Sequence, residues 1–445
     1  MAERLLKNLD RPLPVARGPR RGDLLAGYSA LLGASALIDP AGLRDTLLSN
    51  VNWAVDSKRL TNVCNVATGM SGTNKDFHLI GTTELPFDAV RLIVLSAETA
   101  GAASCTAAIA PTANMTTVNT PTGSWTGFTW SGSSSFTMPS SSNAAQFGAL
   151  ASDWMQVQSV ARNDGGIVPM FMLRIHIPVG AGNTYTADAS TNFSFDTDQL
   201  TAGRRWFRMF QSNIDSVTTP SAFTNTSESS TFPACILQFR IRGKVMSVAF
   251  CGDSIAGGST TTGGVMSCGY LTAQALTSSA FPVDYVSGGW SGQTTTNYLA
   301  NAKTLITASQ PHVAFYNVYS PNDSSFNQTV ANAQVQRAMD FVSHARANNC
   351  LPVLVTATPL STDSSAASAI KVSQTAQVNA LADQGFLIAD VYSATADFVT
   401  PNGSGGWGWK SGYSTDGTHP NDVGAAAIRD AVYLPLLTLI RDRNF

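Results

Sequence analysis

The chain has 445 residues, enough for about three domains at roughly 150 residues each. It is 44% hydrophobic, ample for sizeable cores, yet only 13% charged, against about 25% in ordinary soluble domains, and this balance excludes bulk disorder. A net charge of -2 excludes an electrostatic nucleic-acid binder, and no run of 18 apolar residues marks a membrane span.

The first 22 residues are rich in Arg and Pro, with Arg4, Lys7, Arg11, Arg17, Arg20 and Arg21 against Glu3 and Asp10. An apolar run at 24–38 follows, closed by Asp39-Pro40. Arg20-Arg21 ahead of Leu24-Leu25 superficially matches a twin-arginine export signal. Helix-like sequence continues at 43–51 without a clear cleavage site, however. Residues 1–75 are therefore expected to be an N-terminal extension that docks on a partner or on a second copy.

From 76 to 243 short β-rich runs alternate with turn-forming clusters. The best are 89–95, 106–110, 124–130, 170–178 and 236–242. Many short strands without a long helical pattern point to a β-sandwich of jelly-roll type. From 244 to 445 the pattern becomes strand and helix in alternation. Apolar strands at 246–251, 283–287, 312–318, 351–357 and 386–391 are each followed by a helical pattern, at 268–278, 294–308, 328–348, 366–382 and 423–441. That is the signature of a doubly wound, flavodoxin-like α/β unit with a five-stranded parallel sheet, whose functional loops lie at the carboxyl ends of the strands. The six cysteines show no C-x-x-C spacing, and several lie in apolar runs, so they read as free buried thiols rather than metal ligands or a disulfide framework.

The first parallel strand ends in Gly252-Asp253-Ser254-Ile255. Alone, this reads more readily as a turn serine capping a helix. A nucleophile, however, is presented at such a strand end, where a helix start favours developing negative charge. Near the C-terminus stands Asp416-Gly417-Thr418-His419-Pro420, just before the last helix. Of the five histidines, His419 is the one with a loop position and an Asp three residues earlier. Ser254, His419 and Asp416 supply the nucleophile, base and base-orienter that acyl transfer needs, in no required chain order.

Together these segments resemble the SGNH, or GDSL, hydrolase family over about 200 residues, 244–445. Gly252 to Ile255 resembles its first block, residues 287–294 its second, Ser320-Pro321-Asn322-Asp323 its third and Asp416 to Pro420 its fifth. Thr356-Ala357-Thr358-Pro359 is also similar to the family's pattern. The resemblance implies Ser254, Asp416 and His419 as catalytic residues. It implies an oxyanion hole from the Ser254 N–H, the Gly292 N–H and the Asn322 side chain, with no metal and no organic cofactor. Two positions depart from the family. The third block has Ser320-Pro321 where Gly usually precedes Asn-Asp, and Gln293 stands where Asp is common.

The family cleaves esters, among them sugar acetates, thioesters and lipids. Trp290, Trp407, Trp409 and Tyr413 lie in or beside the blocks and are candidates to stack on sugar rings, the alternative being that they lock a glycine-rich loop onto the core. A sandwich ahead of such a unit resembles carbohydrate esterases with a sugar-binding domain. With low charge, Ser/Thr/Gly-rich loops and no convincing signal peptide, the organisation also resembles phage tail fibre and tailspike proteins. The expectation is a carbohydrate O-acetylesterase on a virion or cell surface. Its partners are then an acetylated glycan and, through the N-terminal segment, a virion protein or a second copy. The alternatives are an adhesion protein that binds glycan without turnover, and a lipase or thioesterase.

Overall fold

The computed structural model describes residues 54–444, apart from 60–65, 71–74, 114–120, 164–168, 179–184, 189–206, 225–231, 262–266 and a few single or paired positions. The run 1–53, with the Arg-rich start and most of the expected docking segment, lies outside the described residues.

The first part of the chain is antiparallel β-structure. Its strands are β1 (Ala54–Arg59), β2 (Val66–Met70), β3 (Lys75–Thr82), β4 (Phe87–Ser96), β5 (Thr106–Thr112), β6 (Thr126–Gly127) and β7 (Gly148–Ala151). There follow β8 (Met155–Gln156), β9 (Met170–Ile177), β10 (Tyr185–Asp188), β11 (Phe207–Ser212), β12 (Phe232–Pro233) and β13 (Cys235–Ile241). One sheet runs β1-β13-β4-β7, with β8 also on β4, a second runs β11-β3-β9-β5-β6, and a small third runs β12-β10-β2.

The boundary expected at residue 75 moves. β1 pairs with β13 along its length, from Ala54 opposite Ile241 to Arg59 opposite Ile236, and β2 pairs with β10. Edge pairing asks only for backbone N–H and C=O groups. The mixed sequence of β1, Ala-Val-Asp-Ser-Lys-Arg, therefore carries little apolar alternation to announce it.

Period-2 alternation assigns each strand two faces. Phe77 and Leu79 of β3, Val90, Leu92 and Val94 of β4, Leu173 and Ile175 of β9, and Leu237 and Phe239 of β13 share one core between the two large sheets. The other faces are buried too. Ile93 and Leu95 of β4 and Ile236 of β13 enter a second core with helical residues of the α/β part. On β3 and β9 the alternate residues Asp76, His78, Arg174 and His176 are buried polar groups. There Arg174 donates to the carbonyls of Ser216 and Pro220, and His176 Nδ1 lies 3.0 Å from Asp76 Oδ2.

The second part opens with β14 (Met246–Gly252) and the single turn α1 (Ser254–Gly257), then α2 (Cys268–Leu276), β15 (Val283–Gly289) and α3 (Thr295–Ser309). It continues with β16 (Val313–Asn317), α4 (Gln328–Ala347), β17 (Leu351–Val355), α5 (Ser365–Ala380), β18 (Leu387–Ala389) and α6 (Val391–Thr395). It closes with α7 (Asp422–Ile428), a π turn (Arg429–Tyr433) and α8 (Leu434–Asn444). All five strands are parallel, in the order β15-β14-β16-β17-β18. This is the flavodoxin-like order, with the switch point at the first strand of the sheet. Tyr298, Leu305, Phe341 and Val342 of α3 and α4 cover one face. Leu271, Leu276, Ile428, Leu437 and Ile440 of α2, α7 and α8 cover the other.

The stretch Asp422–Arg443 is long and apolar enough, by composition, to cross a membrane. Its residues Ala425, Ile428, Leu436, Leu437 and Ile440 are instead seated in the sheet's core. Among the described residues, Cys105, Cys235, Cys251, Cys268 and Cys350 are buried and joined in no disulfide.

Candidate active site

Ser254 follows β14 directly. Asp253 is the N-cap of the turn, its Oδ1 accepting from the Ile255 N–H at 2.9 Å, and Gly258 ends the turn at φ 78°. The turn is four residues long, shorter than the helix start expected from the sequence, so any stabilisation of negative charge comes from individual N–H groups rather than from a helix dipole. Gly289, ending β15, passes so close that a Cβ there would lie 2.1 Å from the Gly257 nitrogen. Only glycine lets the second strand approach the serine turn this closely.

The Ser254 Oγ lies 2.8 Å from His419 Nε2, and His419 Nδ1 lies 2.6 Å from Asp416 Oδ2. The other Asp416 oxygen accepts the backbone N–H groups of Thr418 and His419, both at 2.8 Å, and the Ser414 hydroxyl at 3.3 Å. Partial burial pushes the Asp416 carboxyl up. The hydrogen bonds from the His419 ring and from these amides outweigh it and hold the group at about 2. Asp416 is therefore ionised across the neutral range and orients the imidazole with Nδ1 toward its carboxylate and Nε2 toward Ser254. Gly417, at φ 78°, turns the loop, and its carbonyl accepts the Ser361 N–H at 2.8 Å, tying the histidine loop to the segment after β17.

The three expected oxyanion donors lie on adjoining loops. Gly292 has φ 75°, and a Cβ there would meet nothing within 4 Å. Its neighbour Trp290 donates its N–H to the Gly252 carbonyl at 3.2 Å, joining this loop to the serine strand. Asn322 is exposed, and its Nδ2 donates to the Gln293 carbonyl at 3.1 Å and to Ser320 Oγ at 3.2 Å. Its two amide protons are thus engaged within the loops, and donation to an oxyanion requires releasing one.

Ser320, the residue that departs from the family pattern, is a hub. Its buried hydroxyl donates to Asp253 Oδ2 and lies 3.1 Å from the Gln293 carbonyl, while the Asn322 N–H donates to it. Full burial pushes the Asp253 carboxyl up to about 6 despite the hydrogen bonds from Ser320 and Ile255. Neither Ser320 nor Asp253 was expected to act in the site. The adjacency of Asp253 to Ser254 was the one available signal. Asp323, next along, accepts the Thr295 N–H and so anchors the start of α3.

The aromatic residues expected to stack on sugar are placed differently. Trp290 is 6% exposed and lies face to face with Phe147 of the antiparallel part. Trp409 is 8% exposed and belongs to the core beneath α2 and α8. Neither presents a ring face to solvent, because each fills a gap that a glycine-rich loop would otherwise leave. Trp407 and Tyr413 are half-buried; Trp407 packs edge to face on Phe398, with ring centres 5.9 Å apart.

No family model matches the sequence, and no curated protein matches it. Among solved structures, the chain is similar to a GDSL-like lipase from Bacteroides thetaiotaomicron, at 16% identity over 43% of this chain and 88% of the other, with a TM-score of 0.34. It is similar to the psychrotrophic esterase EstA from Pseudoalteromonas sp., at 15% identity over 44% and 98%, with a TM-score of 0.34. It is also similar to the acetylxylan esterase Axe2 from Geobacillus stearothermophilus, at 14% identity over 44% and 95%, with a TM-score of 0.36.

Proposed function

We propose that this chain is a serine ester hydrolase of the SGNH type that removes O-acetyl groups from a surface carbohydrate. The observation that carries the reading is the continuous chain Ser254 Oγ, His419 Nε2, His419 Nδ1 and Asp416 Oδ2, with contacts of 2.8 and 2.6 Å. In this reading Ser254 Oγ attacks the acetyl carbonyl carbon as its proton passes to His419 Nε2. The Ser254 N–H, the Gly292 N–H and the Asn322 amide are assigned to the oxyanion. Collapse expels the sugar oxygen, which takes the proton back from His419. Water then repeats the sequence and frees acetate.

A small acyl group is favoured because the segments flanking the serine, 287–294, 320–323 and 414–419, consist mainly of small and polar residues, and their one large aromatic side chain, Trp290, is buried. Trp407 and Tyr413 are the remaining candidates for a sugar contact. The antiparallel part, read as a jelly-roll-like sandwich, is the proposed glycan-binding unit. A phage tail fibre or spike, with residues 1–53 docking on a virion partner or a second copy, is the proposed setting.

The test is hydrolysis of p-nitrophenyl acetate. Ser254→Ala is expected to lower it by about 10³-fold or more, since members of such a triad act as a unit. Retained activity in a clean preparation sinks the nucleophile assignment. Acetate release from a panel of acetylated polysaccharides tests the substrate. A preference for long acyl chains turns the reading to a lipase or thioesterase, and glycan binding without turnover turns it to an adhesin.

A further inference from the structure

Phe147 lies just ahead of β7 in the antiparallel part, yet its ring stacks on Trp290 of the α/β part. The ring centres are 4.6 Å apart, the planes 19° apart, and the two residues are 8% and 6% exposed. The stack is locked by a buried amide. Asn301 of α3 accepts the Phe147 N–H at 2.8 Å and donates to the Ala145 carbonyl at 3.2 Å. Trp290 in turn stands two residues before Gly292. Gly292 is exposed and a Cβ there would meet nothing within 4 Å, so the anchors on either side are what fix the direction of its N–H. On the far side, Gln293 is held through its carbonyl by Asn322 and Ser320. On the near side, the anchors are the Trp290 N–H on Gly252 and the Trp290 ring on Phe147.

We infer that Phe147 is a positioning residue: through Trp290, the antiparallel unit holds the loop that presents the Gly292 N–H to the oxyanion. The inference rests on the ester-hydrolase reading above. It gives the first part of the chain a role in turnover that is separate from glycan binding. An oxyanion donor must point to where charge develops, and small displacements of such a donor are felt mainly in the transition state. Removing the stack is therefore expected to lower kcat and leave KM nearly unchanged.

The experiment uses the full chain with p-nitrophenyl acetate, counting active sites by stoichiometric reaction of Ser254 with a fluorophosphonate. Phe147→Ala is expected to lower kcat per titrated site by about tenfold or more, with KM within about twofold, and Phe147→Tyr to restore it. Phe147→Leu, which keeps apolar volume without the ring, is expected to fall between them and serves if Phe147→Ala does not fold. A merely structural role reduces the number of titrated sites and leaves kcat per site unchanged, which overturns the inference. So does wild-type kcat in folded Phe147→Leu. A wild type that neither hydrolyses the ester nor reacts with the probe overturns the site reading itself, and this inference with it.

Discussion

At the residue scale, Asp253 carries a clear pH signature. Its carboxyl is fully buried and pushed up to about 6, so the folded chain holds this proton more tightly than the unfolded one does. The stability it contributes is present below the ordinary Asp range near 4 and is lost as pH rises through about 6. The loss amounts to about 3 kcal/mol, because each tenfold difference in proton affinity between the folded and unfolded chain is worth roughly 1.4 kcal/mol. Asp253→Asn keeps the acceptor for the Ile255 N–H and offers an N–H to Ser320 Oγ. Denaturant unfolding at pH 4 and pH 6 is expected to show wild type losing stability relative to this variant. Equal pH slopes would refute the assignment. Ser254, Asp416 and His419 were legible in the sequence because their residue types and loop positions are themselves the chemical signal. Ser320 was legible only as a departure. Its contacts to Asp253, Gln293 and Asn322 join three loops that are far apart in the chain.

At the scale of elements, the histidine loop depends on its neighbours. Lys371 of α5 is fully buried, 2.7 Å from Asp363 and 3.0 Å from the Thr358 carbonyl, with its ammonium 4.3 Å from the centre of the Tyr319 ring. Burial pulls it down to about 8, against the attraction of Asp363. This ion pair pins the segment 358–365, which meets the histidine loop through the Ser361 N–H on the Gly417 carbonyl. Lys371→Met leaves Asp363 buried without its partner and is expected to cost about 3–5 kcal/mol of stability by chemical unfolding. The double variant with Asp363→Asn is expected to recover much of it, and failure to do so would show that the pair is not the source. In the sequence 366–382 reads only as one of five helical patterns that follow the strands. Helical periodicity places Lys371 on a face but cannot say that 358–365 and 402–406 close over that face.

At the scale of the whole molecule, the two parts share a core. β4 and β13 bury one face between the antiparallel sheets and the other against α3. The arrangement makes the position of any truncation measurable. Deleting residues 1–75 removes β1 and β2, whereas deleting 1–53 leaves every described strand. The longer deletion is expected to lower the unfolding midpoint by several degrees relative to the shorter one, because β13 loses its hydrogen-bonded edge partner. Equal midpoints would show that β1 adds nothing.

By itself, the sequence determined the α/β part. Apolar runs of strand length alternating with helical patterns leave few ways to bury both sheet faces, and Ser254 follows the first of those strands, where that topology exposes its loops. It also determined that short strands fill the first part of the chain. Only the tertiary structure decided that Ala54–Arg59 and Val66–Met70 join those strands and that β4 and β13 serve two cores. It alone placed Trp290 beneath Phe147 rather than before a substrate. Local periodicity reports which side of an element is apolar. Which other element covers that side depends on contacts between residues more than a hundred positions apart, and no local pattern records them.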